Sequence, residues 1–451
     1  MMKKMLTVAV TAGFCGIGLA ASLVLPAIPL PTIPDRVFKI TDYGAVADGK
    51  TLNTEALRKA VAACRAAGGG KVVVPAGEFI AGPFEFVSNM ELRLEKNAVL
   101  RFSDRLELYG AQPTASSDPD DAKLKAPITG AGLVNIAITG AGVIDGNGKA
   151  WWARSGKKAW ANGAGGEMLP RPNLIEFTKC TNVLFEGVTV CNSPQFHIVP
   201  HYCDGVTCRD LKIIAPSNSP NTDGIDPSNS RNVLITRCVI DDGDDNISFK
   251  ARRDANNKNT VPTENVYVTD CTFLHGHGVS VGSRVWSGIR NIVVDNCTFE
   301  GTAIGIRIKS ARGRGGLMEN ITYSNIKMKD VGTAITINMY YFDRLEGVQP
   351  VTPETPIVRN VKLQNITVAG ARTAGDITGL PEMPVTDIKL ENADIAAETG
   401  MRIRDAREVE FKAVKIKAGT GKPLTVEKAT VRGIENFGDT TPDAVKSKRK
   451  R

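Results

Sequence analysis

The sequence predicts an all-β solenoid, a parallel β-helix closed at its N-terminal end by one short helix. Three observations predict it. Short alternating strands open on a repeated pair: Asn182-Val183, Gly205-Val206, Asn232-Val233, Asn265-Val266, Asn291-Ile292, Asn320-Ile321 and Asn360-Val361. The gaps between these pairs run from 23 to 40 residues, and turns fill them. One coil of that size cannot bury its own apolar face, so stacked neighbours must supply the core. The third observation is that only one segment has helical periodicity, which selects a β-solenoid over helical or leucine-rich arrays. A β-propeller is the competing architecture, but no blade-length period with its own signature is present.

In chain order, Lys3 and Lys4 precede an uncharged stretch from Leu6 to Leu25 that is rich in small residues, the pattern of a secretory signal. We assign residues 1–21 to a signal peptide, 22–35 to a Pro-rich spacer, 36–440 to the β-helix and 441–451 to a basic tail. Phe38-Lys39-Ile40 reads as the first strand. Asn53 is placed to N-cap a helix over 54–67, where Ala56, Leu57, Ala60, Val61 and Cys64 share one face and Gly68-Gly69-Gly70 ends it. That helix would cover the open end of the solenoid, where a bare β edge invites aggregation. Val72-Val73-Val74 follows as a strand. Asn135-Ile136 begins the repeats, and Asp387-Ile388 and Glu408-Val409 continue them less clearly.

The net charge of +8 is concentrated at the ends. Without Lys3, Lys4 and the five cations of the last six residues, the body is close to +1. No basic stripe with interleaved aromatics accompanies the tail, so nucleic acid is not an expected partner. No second apolar run could span a bilayer. Cys238, Cys271 and Cys297 each lie six residues after the Asn of a repeat pair, where other repeats place Val188, Ile326 and Ile366. That equivalence marks them as buried thiols used as small hydrophobes. One bridge among Cys180, Cys191, Cys203 and Cys208 stays open. No cysteine pair has zinc spacing.

The chemistry gathers in four short runs. Asp223 and Asp244 are 21 residues apart, about one coil, and Asp245 follows directly. Stacked coils lie about 4.8 Å apart, so three carboxylates should meet on one surface. Their repulsion should raise at least one pKa, which general acid catalysis of glycoside cleavage requires. Loop solvation or calcium binding would use the same residues. Asp244 and Asp245 can share a cleft only if the chain bends at Gly243. In Ile304 to Lys309, period two sends the isoleucines inward and Arg307 and Lys309 outward, a cation pair suited to a carboxylate. His277 sits between Gly276 and Gly278, which allow close approach to a ligand.

The ordered set Asn221-Thr222-Asp223-Gly224, Gly243-Asp244-Asp245, Gly276-His277-Gly278 and Arg307-Ile308-Lys309 resembles the polygalacturonases of glycoside hydrolase family 28, bacterial type. Gly142 to Gly146 with Trp151-Trp152, Asn192-Ser193-Pro194 and Arg312 to Gly316 fit the same pattern. The resemblance covers residues 38–342. It implies a right-handed β-helix that hydrolyses α-1,4-galacturonan with inversion, with no metal or other cofactor. On this chain it implies Asp244 as general acid and Asp223 with Asp245 as the water-activating pair. His277 would keep Asp244 placed and protonated. Arg307, Lys309, Asn221 and Tyr341 (rather than Tyr340) would contact a galacturonate polymer. The expected product is a secreted or periplasmic monomer acting on pectin or polygalacturonate. Arg284, after Gly282-Ser283, departs from the acidic residue of many members and bears on nearby subsites. Endo or exo attack depends on loops such as 150–171. The alternatives are hydrolysis of rhamnogalacturonan or xylogalacturonan, a calcium-dependent pectate lyase, and a non-catalytic glycan-binding β-helix.

Overall fold

A computed structural model describes residues 28–110, 123–157, 169–253 and 261–442. The proposed signal peptide, part of the spacer, residues 158–168 of the 150–171 loop and nearly all of the basic tail lie outside them. Among the described residues every strand pairing is parallel, and each strand pairs with its counterpart one coil away. The chain therefore climbs as a parallel β-helix with three strand positions per coil.

The first position is the one the sequence repeats mark. Ile136, Val183, Val206, Val233, Val266, Ile292, Ile321, Val361 and Ile388 are consecutive partners in one column. All are buried at 1% exposure or less. β-Branched side chains suit a pleated surface buried on its inner face, which is why Val and Ile recur here. The preceding asparagines have a second role. Asn135, Asn182, Asn232, Asn265, Asn291, Asn320 and Asn360 all adopt φ between 52° and 57°. Asn enters this left-handed region at less cost than other side chains. Its amide then bonds to the coil before it: Asn265 Nδ2 donates to Asn232 Oδ1 (3.2 Å), Asn291 to Asn265 (3.0 Å), Asn320 to Asn291 (2.9 Å) and Asn360 to Asn320 (2.7 Å). Asp387 and Glu408 take the same conformation, so the faint repeats at the C-terminal end are true members.

The second position runs through Val143–Asp145, Thr189–Cys191, Lys212–Ile214, Val239–Asp241, Thr272–Phe273 and Thr298–Glu300. The third runs through Ile175–Thr178, Ile198–His201, Ile247–Phe249, Val279–Gly282, Ile304–Lys309 and Thr333–Asn338. Its outward face carries the site.

The capping helix spans Thr54–Ala66 and buries Ala56, Leu57, Ala60, Val61 and Cys64 as expected. Asn53 precedes it but makes no capping bond. Its side chain instead accepts from the Val46 N–H and donates to the Val46 and Thr51 carbonyls, closing the preceding loop. The first strand is Val37–Lys39, and Ile40 opens a 3-10 turn beneath the helix. A second, one-turn helix at Lys149–Trp152 escaped the periodicity. The cysteine equivalence holds: Val188, Cys238, Cys271, Cys297, Ile326 and Ile366 are all buried, and Ile326 pairs with Ile366. All eight described cysteines are free thiols, so the bridge left open among Cys180, Cys191, Cys203 and Cys208 does not form.

Candidate active site

The segment Asp242–Asn246 is a bend between the second and third strand positions, and it brings both consecutive carboxylates to one cleft. Gly243 makes the bend possible: a Cβ there would lie 2.2 Å from the Ser219 carbonyl oxygen. His277 Nδ1 consequently sits 3.1 Å from Asp244 Oδ1 and 3.8 Å from Asp245 Oδ1. Gly276 lets the imidazole segment close in, since a Cβ there would meet Asp242 Oδ1 at 2.5 Å.

The three carboxylates have different surroundings. Asp245 is saturated: Ser280 Oγ (2.9 Å) and Arg307 (2.8 Å) donate to Oδ1, and Lys309 Nζ (2.6 Å) donates to Oδ2. Burial alone would raise its pKa, but Lys309, Arg307 and His277 outweigh burial and hold it well below the usual range. Asp244 is the most open of the three, with its side chain 18% exposed against 5% for Asp223 and 3% for Asp245. Burial pushes it up, yet the His277 hydrogen bond and charge bring it below its ordinary value. Asp223 goes the other way. Burial, then the Asp226 carboxylate, raise its pKa well above normal despite Lys250 at 3.4 Å. Its Oδ1 is buried without a hydrogen-bond partner among the described residues.

The expected raised carboxylate is Asp223, with burial the larger cause and repulsion from Asp226 the smaller. The expectation for His277 needs correction: its hydrogen bond to Asp244 lowers that carboxyl's pKa, which favours the ionised form. Arg307 and Lys309 are on the outward row, with Ile306 and Ile308 buried and Ile304 only partly so. They are not free to solvent, however. Both pair with Asp245, and Tyr341 lies over them, its ring centre 5.4 Å from Arg307 Cζ and 5.0 Å from Lys309 Nζ. Tyr340 packs elsewhere, against Arg312 and Arg404, so Tyr341 is the tyrosine of this site. Asn221 reaches the site with its side chain engaged: Oδ1 accepts from Arg171 (2.8 Å) and Nδ2 is 3.4 Å from Asp244 Oδ2. Arg284 is buried, with its guanidinium over the Trp286 ring.

Sequence reasoning missed a deeper layer. Lys250 is buried over the Phe196 ring and bridges Asp226 (2.6 Å) and Asp223. Arg171 is buried and holds the Pro194 and Pro220 carbonyls as well as Asn221. His197 receives Ser193 N–H at Nε2 and faces the Asp223 carbonyl with Nδ1, and burial lowers its pKa to about 4. A lone Lys or His signals nothing without coil register; only the closeness of Asp223 and Asp226 in sequence hinted at a buried counter-charge.

Asp244, Asp245 and His277 offer three ligand atoms within 4.8 Å of one another. The fit to a divalent cation is poor, because both Asp245 oxygens already face Arg307 and Lys309. What the arrangement can do is protonate a leaving oxygen, orient a water and neutralise an anionic sugar.

The profile of Glycosyl hydrolases family 28 matches residues 64–426. The chain belongs to glycosyl hydrolase family 28. Among similar proteins, an endo-polygalacturonase of Pectobacterium carotovorum subsp. carotovorum is 34% identical over 312 residues, covering 67% of this chain and 75% of that protein. A probable polygalacturonase of Vitis vinifera is 29% identical, covering 79% and 73%. The crystal structure of a Thermotoga maritima exopolygalacturonase superimposes with a TM-score of 0.73 at 30% identity, over 90% of this chain and 94% of that one. Membership makes the chain a glycoside hydrolase on a parallel β-helix.

Proposed function

We propose that this family 28 enzyme is a polygalacturonase that hydrolyses α-1,4-galacturonosyl linkages of pectin or polygalacturonate. The observation that carries the reading is the convergence of Asp223, Asp244, Asp245 and His277 with Arg307 and Lys309 in one cleft. Neutral glycans need no such cation pair. Asp244, the most open carboxylate, is the general acid that protonates the glycosidic oxygen. Asp223 and Asp245 hold the attacking water between them and take up its proton as it attacks, and a hydrogen bond to that water satisfies Asp223 Oδ1. The substrate completes the proton arrangement. A galacturonate carboxylate at Arg307 and Lys309, under Tyr341, cancels part of the positive field that keeps Asp244 low, so its pKa rises as the sugar docks. His277 and Asn221 hold the Asp244 carboxylate in place from two sides. Water entering opposite the leaving group gives inversion.

Export follows from the charged start and apolar stretch of residues 1–21, and we place the mature enzyme outside the cytoplasm as a monomer. Among the described residues, no helix is long and apolar enough to cross a membrane. The test is purified protein with de-esterified polygalacturonate and a chelator, following reducing ends, unsaturated-product absorbance and product sizes. Reducing ends without unsaturation support hydrolysis, and product sizes give endo or exo attack. Unsaturated products would replace this reading with a lyase, and no products would turn it toward decorated pectins.

A further inference from the structure

Coil register places a trough beside the catalytic cluster. Ile247 pairs with Val279, and Thr333 pairs with Ile304, Thr373 and, through it, Thr399. At the turn just before these strands, Asp244 is therefore followed, coil by coil, by Gly276, Ala303, Gly332, Arg372 and Glu398. Backbone bonds confirm the stack: Ala303 N–H donates to Gly276 O, Gly332 N–H to Thr302 O and Arg372 N–H to Val331 O. Three small residues leave a groove of about 420 Å³ that starts at His277 and reaches Arg372.

Two polar side chains that line this groove have no hydrogen-bond partner among the described residues. Thr302 is 1% exposed and lines it, and its hydroxyl has no hydrogen-bond partner among the described residues. Buried hydroxyls are normally satisfied, so an orphan on a groove wall suits a hydroxylated guest. The Arg372 guanidinium has no ion-pair or hydrogen-bond partner among the described residues. Asp330 and Glu398 also line the groove, but neither pairs with it. Arg372 stands three coil steps from Gly276, about 14 Å at the strand spacing.

We propose that this trough binds a further stretch of the galacturonate chain, with one uronate carboxylate on Arg372 and a sugar hydroxyl on Thr302. Glu398, one coil beyond, repels the next anionic unit and ends the site. The inference rests on the polygalacturonase reading and adds a distal anchor that the cluster itself does not contain.

The test measures KM for oligogalacturonates from dimer to octamer with wild type, Arg372→Ala and Arg372→Lys. The ratio of variant to wild-type KM should grow with chain length and level off at roughly fivefold for Arg372→Ala, the size of an exposed charge pair. Arg372→Lys should recover part of the loss, and added salt should shrink the difference. A wild type that releases no reducing ends from any galacturonate chain would sink the functional reading. An active wild type with a KM ratio flat across chain length, or a lysine variant no better than alanine, would overturn the assignment of Arg372.

Discussion

Two columns run along this solenoid at the same spacing and do opposite things. On the first strand position, asparagines stack from Asn232 to Asn360, and the amides of Asn265, Asn291 and Asn320 are each satisfied by neighbours above and below. At the bend that leads into the third, Asp223, Asp244 with Asp245, and His277 occupy successive coils, with an orphan oxygen on Asp223 and a cation-saturated Asp245. A neutral group that both donates and accepts gains from coil stacking. An acid placed on the same lattice meets a like charge, and the fold must tolerate that conflict because the reaction uses it.

Breaking the acidic column should have the largest effect. Asp244→Asn should lower turnover of polygalacturonate by about a thousandfold, within the usual range for a general acid, while circular dichroism and substrate binding stay close to wild type. Unfolding together with loss of binding would remove Asp244 from the chemistry. Next is Lys250→Met, which leaves Asp226 and Asp223 facing each other without their cation. Loss of one partner from a buried ionic cluster costs about 3–5 kcal/mol, so chemical denaturation should show a drop of that order.

The neutral column is tested by Asn265→Ala. It puts a β-carbon without polar atoms in the left-handed region and removes two ladder bonds, a loss of about 2 kcal/mol. Turnover at a temperature where the variant stays folded should hardly change, and a large fall in turnover would mean that the columns are coupled. Arg307→Ala sits on the acidic side but acts on binding. It should raise KM for polygalacturonate about tenfold, the weight of a charged hydrogen bond. An unchanged KM would disprove the cation pair's role.

The smallest effect concerns pH and has the opposite sign. Asp223 is raised in the folded protein by burial and Asp226. Below about pH 4 both folded and unfolded chains carry its proton. Above that, the unfolded chain ionises first, so this residue costs stability as pH rises toward its folded pKa. Asp223→Asn should therefore be inactive yet melt about 2 °C higher at neutral pH, with the gain vanishing near pH 3. Equal melting temperatures at both pH values would show that Asp223 is not a stored conflict.

The repeat pairs, the capping helix and the four motif runs were legible because each is local: an Asn before a β-branched residue, an amphipathic turn, a carboxylate beside glycine. What was not legible depends on register. Gly282 pairs with Lys309 and Ser280 with Arg307, and only that alignment brings both cations onto Asp245, which sequence reasoning left among carboxylates alone. Lys250 is one polar residue after an apolar strand until the coils stack and enclose it with Asp226. Asn53 shows the converse: a correct boundary whose side chain a nearby loop claims first.

The cysteines have a practical consequence. All eight in the described residues are reduced, and seven are buried as packing groups. Formation of the coil stack thus requires no oxidation step and no bridge to be chosen among competing pairs. The catalytic domain should reach the same active state whether it is produced in a reducing cytosol or recovered from an oxidising medium.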